Sequence, residues 1–218
     1  MLNEAMYHAV KSECAAAGAR LIAVTKQRNL ADLQRLYDLG QRDFGENRVS
    51  ELQGKYEALP KDIRWHFIGH LQRNKVKVIA PFVHLIHSGD SPRLIREVNK
   101  QAQGAARTIP VLLQYHIAAE ESKYGLDPNH PLAILDALAD SDLSHVTLAG
   151  VMGMATYTDA DEQVSEEFER LRSVFNTLNV DGRLGGSFQT ISMGMSGDYP
   201  IALQHGSNMV RVGSILFR

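Results

Sequence analysis

The first predicted strand of the chain reads Leu21-Ile22-Ala23-Val24-Thr25-Lys26, an apolar run that ends abruptly on an amine. The last reads Met209-Val210-Arg211-Val212-Gly213-Ser214, with an arginine between two valines and a Gly-Ser step at its end. Short apolar runs of this kind are typical of strands buried on both faces. We predict eight strands, over residues 21–25, 42–45, 65–68, 82–87, 109–116, 146–152, 188–193 and 209–212.

Helical patterns separate these strands. Asn29 is placed to cap one helix that ends at Gly40, and Ser91-Pro92 opens another. Residues 159–179 carry apolar side chains at spacings of three and four. Further helices are expected over 2–17 and from His130-Pro131 and Asp198 onward. Alternating strands and helices predict a parallel sheet.

Eight strand-helix units favour a (β/α)₈ TIM barrel, with residues 1–218 as a single domain. The alternative is an open doubly wound sheet, but the glycine-rich turn usual in that fold is missing after the first strand, where Lys26 and Gln27 stand instead. The eighth helix is expected to be short, because only Ile215-Leu216-Phe217-Arg218 follows the Gly-Ser step. The N-terminal helix is then expected to cover that flank.

Composition excludes several classes of protein. The chain has 218 residues, 44% of them hydrophobic, and a formal net charge of −2, which fits a globular protein with a sizeable core. The balanced charge argues against a nucleic-acid partner or an anionic membrane. No run approaches the ~18 apolar residues of a membrane helix, and the single cysteine, Cys14, allows no internal disulfide. We expect a cytoplasmic protein.

The candidate site follows from the barrel, because active sites of such barrels lie at the C-terminal ends of the strands. Lys26 ends the first strand, and an uncharged lysine amine can attack an aldehyde to form an imine. The alternative is a solvated lysine. Arg211 alternates with valines, so either the arginine or both valines face the interior; a buried arginine needs an anionic or hydrogen-bonding partner, and an internal salt bridge is the alternative.

The turns after the last two strands suit a phosphate. Gly213-Ser214 and the segment from Ser192 to Gly197 offer backbone N–H groups, hydroxyls and little side-chain bulk. Together with Lys26 and Arg211 they indicate a site for a phosphorylated aldehyde. No metal site is predicted: His66 and His70 are four residues apart, but the residues between them read as a strand end rather than a helix.

Longer motifs include Phe44-Gly45-Glu46-Asn47, the segment from Trp65 to Lys75 and Glu121-Ser122-Lys123-Tyr124-Gly125. Ser192-Met193-Gly194-Met195-Ser196-Gly197-Asp198 and Gly206-Ser207-Asn208-Met209-Val210-Arg211-Val212-Gly213-Ser214 are the most diagnostic pair. Read with the lysine strand, these motifs resemble the pyridoxal phosphate homeostasis protein family over nearly the whole chain. Members of that family often have asparagine where this chain has His116.

The resemblance implies an alanine-racemase-like barrel, the fold type III of pyridoxal phosphate proteins, without the second β domain of the racemases. It implies pyridoxal 5′-phosphate as cofactor, held as a Schiff base on Lys26, with Arg211 facing the ring nitrogen. It further implies that Ser192, Gly213 and Ser214 bind the phosphate and that Asn47 lies beside the ring.

The resemblance and the chemistry of arginine together favour a carrier in vitamin B6 homeostasis over an enzyme. Arginine is a poor proton donor, so a ring nitrogen facing Arg211 stays unprotonated and the cofactor is a weak electron sink. We expect a non-catalytic monomer whose recipients are enzymes lacking their pyridoxal phosphate. An amino-acid racemase is one alternative, and a barrel aldolase that uses Lys26 without a cofactor is another.

Overall fold

The computed structural model describes residues 1–120 and 124–217. Eight parallel strands close into a barrel in chain order, as predicted. They are β1 (Arg20–Val24), β2 (Asp43–Glu46), β3 (Arg64–Phe67), β4 (Leu85–Gly89), β5 (Ile109–Gln114), β6 (Val146–Met152), β7 (Thr190–Ser192) and β8 (Met209–Val212). The predicted strands agree with these to within a few residues at their ends. The alternative of an open sheet is excluded.

Helices cover the outside of the barrel. They are α1 (Glu4–Ala16), α2 (Leu30–Asp38), α3 (Val49–Ala58), α4 (Val76–Ile79), α5 (Pro92–Gly104), α6 (Ala133–Leu138), α7 (Asp161–Asp181) and α8 (Tyr199–Gln204). The caps read from the sequence form: Asn29 accepts a hydrogen bond from the backbone N–H of Asp32, and Ser91 accepts one from Leu94. Helices α3 and α4 were not predicted, because neither has a side-chain cap and α4 has only four residues.

Successive side chains of a strand point to opposite faces of the sheet. A small apolar cluster comes from five of the strands: Ile22, Leu85, Leu112, Met152 and Met209. Their neighbours in sequence belong to the larger core between strands and helices. Among the latter are Val210 and Val212, so Arg211 between them points into the barrel.

The barrel closes through pairing of β1 with β8, in which Ile22 lies opposite Arg211. After β8 the chain forms a single 3₁₀ turn, Ser214–Leu216. The first helix covers this flank, as expected, and the backbone N–H of Asn3 donates to the carbonyl of Leu216 at 2.8 Å. Among residues 1–120 and 124–217, no helix combines the length and the apolar character that a membrane crossing requires.

Candidate functional site

Lys26 stands just beyond the C-terminal end of β1 and is exposed. By alternation along the strand, Lys26 lies on the same face as Ile22 and Val24. The side chains of Ile22 and Val24 pack over Gly45 of the neighbouring strand. Among the described residues, its amine makes no hydrogen bond and no ion pair. The lysine therefore stands at the barrel mouth with an amine that no described residue engages.

The backbone on both sides of Lys26 is fixed by α3. Lys55 donates to the carbonyl of Thr25 at 2.8 Å, and Glu51 accepts the backbone N–H of Gln27 at 2.9 Å. Gln27 has a φ of 61°, a left-handed conformation that a non-glycine residue adopts only where its surroundings hold it. The unpredicted helix α3 thus positions the lysine.

Glu46 completes this clamp beneath the lysine strand. Its Oε1 accepts from the hydroxyl of Thr25 at 2.6 Å and from the amine of Lys55 at 2.8 Å, while Oε2 is buried with no hydrogen-bond partner in the described part of the chain. Burial raises the pKa of Glu46 despite the adjacent Lys55 amine. The Lys55 amine and the Thr25 hydroxyl both bond to one oxygen of the Glu46 carboxyl group. These bonds link the end of β1 to β2 and α3.

The registers of β1 with its two neighbours place two predicted residues beside Lys26. Val24 pairs with Gly45. Lys26 follows Val24 by two residues and Asn47 follows Gly45 by two, so Lys26 and Asn47 come side by side just after their strands. On the other side, a Cβ added to Gly213 would lie 3.0 Å from Cβ of Val24. Asn47 itself is half-buried, and a side chain at Gly69 would overlap its carbonyl oxygen. Lys26 therefore lies between the ends of β2 and β8.

The turns after β7 and β8 meet at Ser196. Its hydroxyl accepts the backbone N–H of Gly213 at 3.1 Å. The backbone N–H groups of Ser196, Gly197 and Ser214 have no intramolecular partner among the described residues, and Ser214 is exposed at the start of the last 3₁₀ turn. Unpaired backbone N–H groups and hydroxyls of this kind suit an anion. Ser196 was not among the predicted site residues, although the Ser192–Gly197 segment had pointed to this turn.

Arg211 is 4% exposed and has no carboxylate within ion-pair distance in the described part of the chain. Nη1 donates to the hydroxyl of Ser192 at 2.6 Å, and Nη2 donates to the carbonyl of Gly153 at 3.0 Å. Burial lowers the pKa of Arg211 to about 10, which leaves the side chain charged at neutral pH. The alternative of an internal salt bridge is therefore excluded for the described residues, and the remaining N–H donors can serve a neutral acceptor.

Ser192 is fully buried at the end of β7. Besides Arg211 it contacts Nδ1 of His87 at 3.0 Å. Its predicted role as a phosphate ligand stays a prediction, and in this structure both contacts of the hydroxyl lie inside the barrel.

One cluster could hold a metal by geometry alone: Asp43, His66 and His84, whose ligand atoms lie within 4.8 Å of one another. The carboxylate of Asp43 is already engaged by Nε and Nη2 of Arg64, and His66 Nε2 lies 3.0 Å from it. A cation would have to displace both contacts, so we propose no metal here.

The loop after β5 reaches the same end of the barrel. Nε2 of His116 contacts the carbonyl of Glu120 at 2.7 Å, and the ring of Tyr124 stacks on His70 with centroids 4.4 Å apart. The motif residues 121–123 lie outside the described residues. His116 is thus engaged within its own loop.

These residues fit pyridoxal phosphate by their donor chemistry. An aldehyde requires a free amine, which Lys26 offers. A dianionic phosphate requires N–H groups and hydroxyls, which Ser196, Gly213 and Ser214 offer. An unprotonated pyridine nitrogen requires a donor that keeps its own proton, which describes the buried Arg211 with no anion beside it.

Barrel and site together define a class, and residues 4–218 match the family model "Alanine racemase, N-terminal domain". A similar fold occurs in an alanine racemase of Clostridium difficile, with a TM-score of 0.72, 14% identity and 94% of this chain covered. This chain spans 54% of that racemase chain. At this identity the likeness concerns the fold alone.

Closer relatives narrow the class. The chain is 34% identical to the pyridoxal phosphate homeostasis protein of Aquifex aeolicus, over 95% of this chain and 92% of that protein. PipY of Synechococcus elongatus, solved with pyridoxal phosphate bound, is 32% identical with a TM-score of 0.82, over 92% of this chain and 93% of that one. This chain belongs to the pyridoxal phosphate homeostasis protein family, which confirms the resemblance inferred from its motifs.

Proposed function

We propose that this protein binds pyridoxal 5′-phosphate and carries or buffers it in vitamin B6 homeostasis, with residues 1–218 acting as one cofactor-binding barrel domain. The observation that carries the proposal is that one barrel holds an exposed lysine, Lys26, and a buried arginine, Arg211, neither of which pairs with a carboxylate among the described residues. Bound pyridoxal phosphate brings an aldehyde for imine formation and an electron-withdrawing ring. PipY, a relative over most of its length, was solved with this cofactor bound.

Each group of residues then has a role toward the cofactor. Lys26 would hold the aldehyde of the cofactor as a Schiff base, and the clamp from α3 keeps the lysine backbone at the mouth of the barrel. Gly213, Ser214 and Ser196 would bind the phosphate through N–H groups and hydroxyls. Arg211 would donate to the ring nitrogen, and Asn47 would lie beside the ring.

We infer that the protein has no substantial turnover. Arg211 does not give up its proton near neutral pH, since its pKa of about 10 is still far above neutrality. A carboxylate in its place would stabilise a protonated ring nitrogen and so strengthen electron withdrawal from a bound amino acid. Moreover, Lys26 has no acid-base partner among the described side chains. The exposed lysine suits transfer of the cofactor to another protein, and enzymes lacking pyridoxal phosphate are the proposed recipients.

Two expectations stay predictions: that the protein is a monomer, and that it works in the cytoplasm.

Incubation with L-alanine in deuterated water tests this proposal. Protein loaded with pyridoxal phosphate should exchange the Cα proton of L-alanine little or not at all over hours, because the unprotonated ring stabilises negative charge at Cα weakly. Proton NMR of the recovered amino acid measures the exchange, and Lys26→Ala protein with the same total cofactor supplies the background rate.

Fast exchange that requires both Lys26 and bound cofactor would contradict a non-catalytic role and favour the racemase alternative. A protein that binds no pyridoxal phosphate and acts on sugar phosphates would instead favour the aldolase alternative.

A further inference from the structure

A line of polar side chains crosses the barrel interior, where such barrels usually pack branched apolar residues. It runs from Asp43 at the start of β2 through His66, His87 and Ser192 to Arg211 in β8. The links measure 3.0 Å (Asp43 Oδ1 to His66 Nε2), 2.9 Å (His66 Nδ1 to His87 Nε2), 3.0 Å (His87 Nδ1 to Ser192 Oγ) and 2.6 Å (Ser192 Oγ to Arg211 Nη1). Every member is 5% exposed or less.

The acidic end sets the direction of every link. Burial by itself would raise the pKa of Asp43, but hydrogen bonds from Arg64 and His66 outweigh it and lower the pKa below its usual range. Asp43 is therefore ionised and can only accept, so His66 must carry its hydrogen on Nε2. Its Nδ1 is then an acceptor.

The remaining links follow from the first. Burial lowers the pKa of His66 and of His87, so both rings are neutral and each has one donor and one acceptor nitrogen. His87 donates from Nε2 to His66, which leaves His87 Nδ1 to accept the hydroxyl hydrogen of Ser192. The oxygen of Ser192 then accepts from Arg211.

Other charged and titratable groups around the line do not interrupt it. Arg20 approaches Asp43 only to 4.0 Å, and its side chain is half exposed. The His84 ring lies 5.4 Å from that of His66, centre to centre. Asp198 acts on Arg211 only at longer range, as a weak influence that favours the charged form.

We propose that Asp43, His66, His87 and Ser192 form a directed hydrogen-bond chain that holds the Arg211 guanidinium toward the cofactor ring without a carboxylate beside it. The negative charge of Asp43 is kept at the other end of this chain, away from Arg211, so it does not favour protonation of the ring nitrogen. The four residues are positioning residues for Arg211. Only the last step, from Arg211 to the cofactor, rests on the function proposed above.

The direction of the chain can be measured without any cofactor. Proton-nitrogen correlation spectra of the ¹⁵N-labelled protein at neutral pH distinguish the two neutral tautomers of each histidine. His66 and His87 should both be Nε2–H tautomers whose ring hydrogens exchange slowly. An Nδ1–H tautomer or an imidazolium at either position would overturn the chain.

Coupling along the chain is tested by removing its acidic end. In Asp43→Ala protein that retains the native circular dichroism, His66 loses the partner that fixes its tautomer. His87, which Asp43 does not touch, should then also lose its preference for Nε2–H. An unchanged His87 would show that its own surroundings fix it and would overturn the coupling.

The consequence for Arg211 is tested with matched variants on β4. His87→Leu removes both hydrogen-bonding nitrogens and should release pyridoxal phosphate about tenfold faster, the effect of losing one hydrogen bond of ~1.4 kcal/mol. His87→Gln keeps one donor and one acceptor and should recover part of the loss. Ser88→Ala is the control, because Ser88 is buried on the same strand and its hydroxyl has no hydrogen-bond partner among residues 1–120 and 124–217.

Equal retention in all three variants, with a native tautomer pattern in the wild type, would overturn the positioning role while leaving the cofactor site intact. Failure of the wild type to bind pyridoxal phosphate would overturn the proposed function instead, and the tautomer spectra would still decide whether the chain exists.

Discussion

Replacing Lys26 by alanine should remove the visible absorbance that the protein acquires when it is mixed with pyridoxal phosphate. The absorbance arises from the imine, and only a lysine amine at the mouth of the barrel can form it. Lys55 contacts the clamped segment directly, but its amine is buried and bonded to Glu46 and the carbonyl of Thr25. A titration of each protein with pyridoxal phosphate, followed by visible spectroscopy after gel filtration, measures the effect.

The matched control is Lys75→Ala. Lys75 is an exposed lysine in the loop after β3, at the same end of the barrel as Lys26. This variant should keep the full absorbance. Lys26→Ala protein that retained the wild-type spectrum would contradict the assignment of Lys26 as the lysine that forms the imine.

Pyridoxal without its phosphate should bind at least about 100-fold more weakly than pyridoxal phosphate. Hydrogen bonds to a charged group contribute roughly 1.5–3 kcal/mol each, so the loss of two of them already corresponds to two factors of about ten. The N–H groups around Ser196 and Ser214 supply more than two candidate donors. Parallel titrations with the two compounds measure the ratio of their affinities.

Ser196→Ala should bring the two affinities closer together, because it removes a hydroxyl from the phosphate site proposed at Ser196, Gly213 and Ser214 (the phosphate cradle). Ser88→Ala, a buried change away from the cradle, should leave the ratio unchanged. Equal affinities of the wild type for pyridoxal and pyridoxal phosphate would contradict the assignment of the phosphate to these turns.

The fold could be predicted from local patterns because most of the strands, such as β1 and β5, are short and mainly apolar. Helix α2 could be predicted from its cap at Asn29, whose side chain accepts a hydrogen bond from the backbone N–H of Asp32. Helix α3 could not be predicted in this way, because Arg48 at its start makes no side-chain cap and polar residues interrupt its apolar side. The one unpredicted element of consequence is therefore the helix that fixes the lysine.

The site could be predicted where alternation within one strand was enough. Arg211 between two valines had to face inward or expose them, and the structure buries all three. Ser196 was missed because its contact with Gly213 joins two turns that only the closed barrel brings together. The chain from Asp43 through His66 and His87 was missed for the same reason, since its members come from different strands and no spacing in the sequence relates them.

Reduction of the loaded protein with borohydride, followed by peptide mass mapping, tests the central claim most directly, since it fixes the cofactor to the lysine that holds it. The account predicts one modified peptide, containing Lys26, in an amount that matches the visible absorbance lost on reduction. Modification spread over exposed lysines such as Lys61 and Lys100, or concentrated at another single lysine, would contradict it.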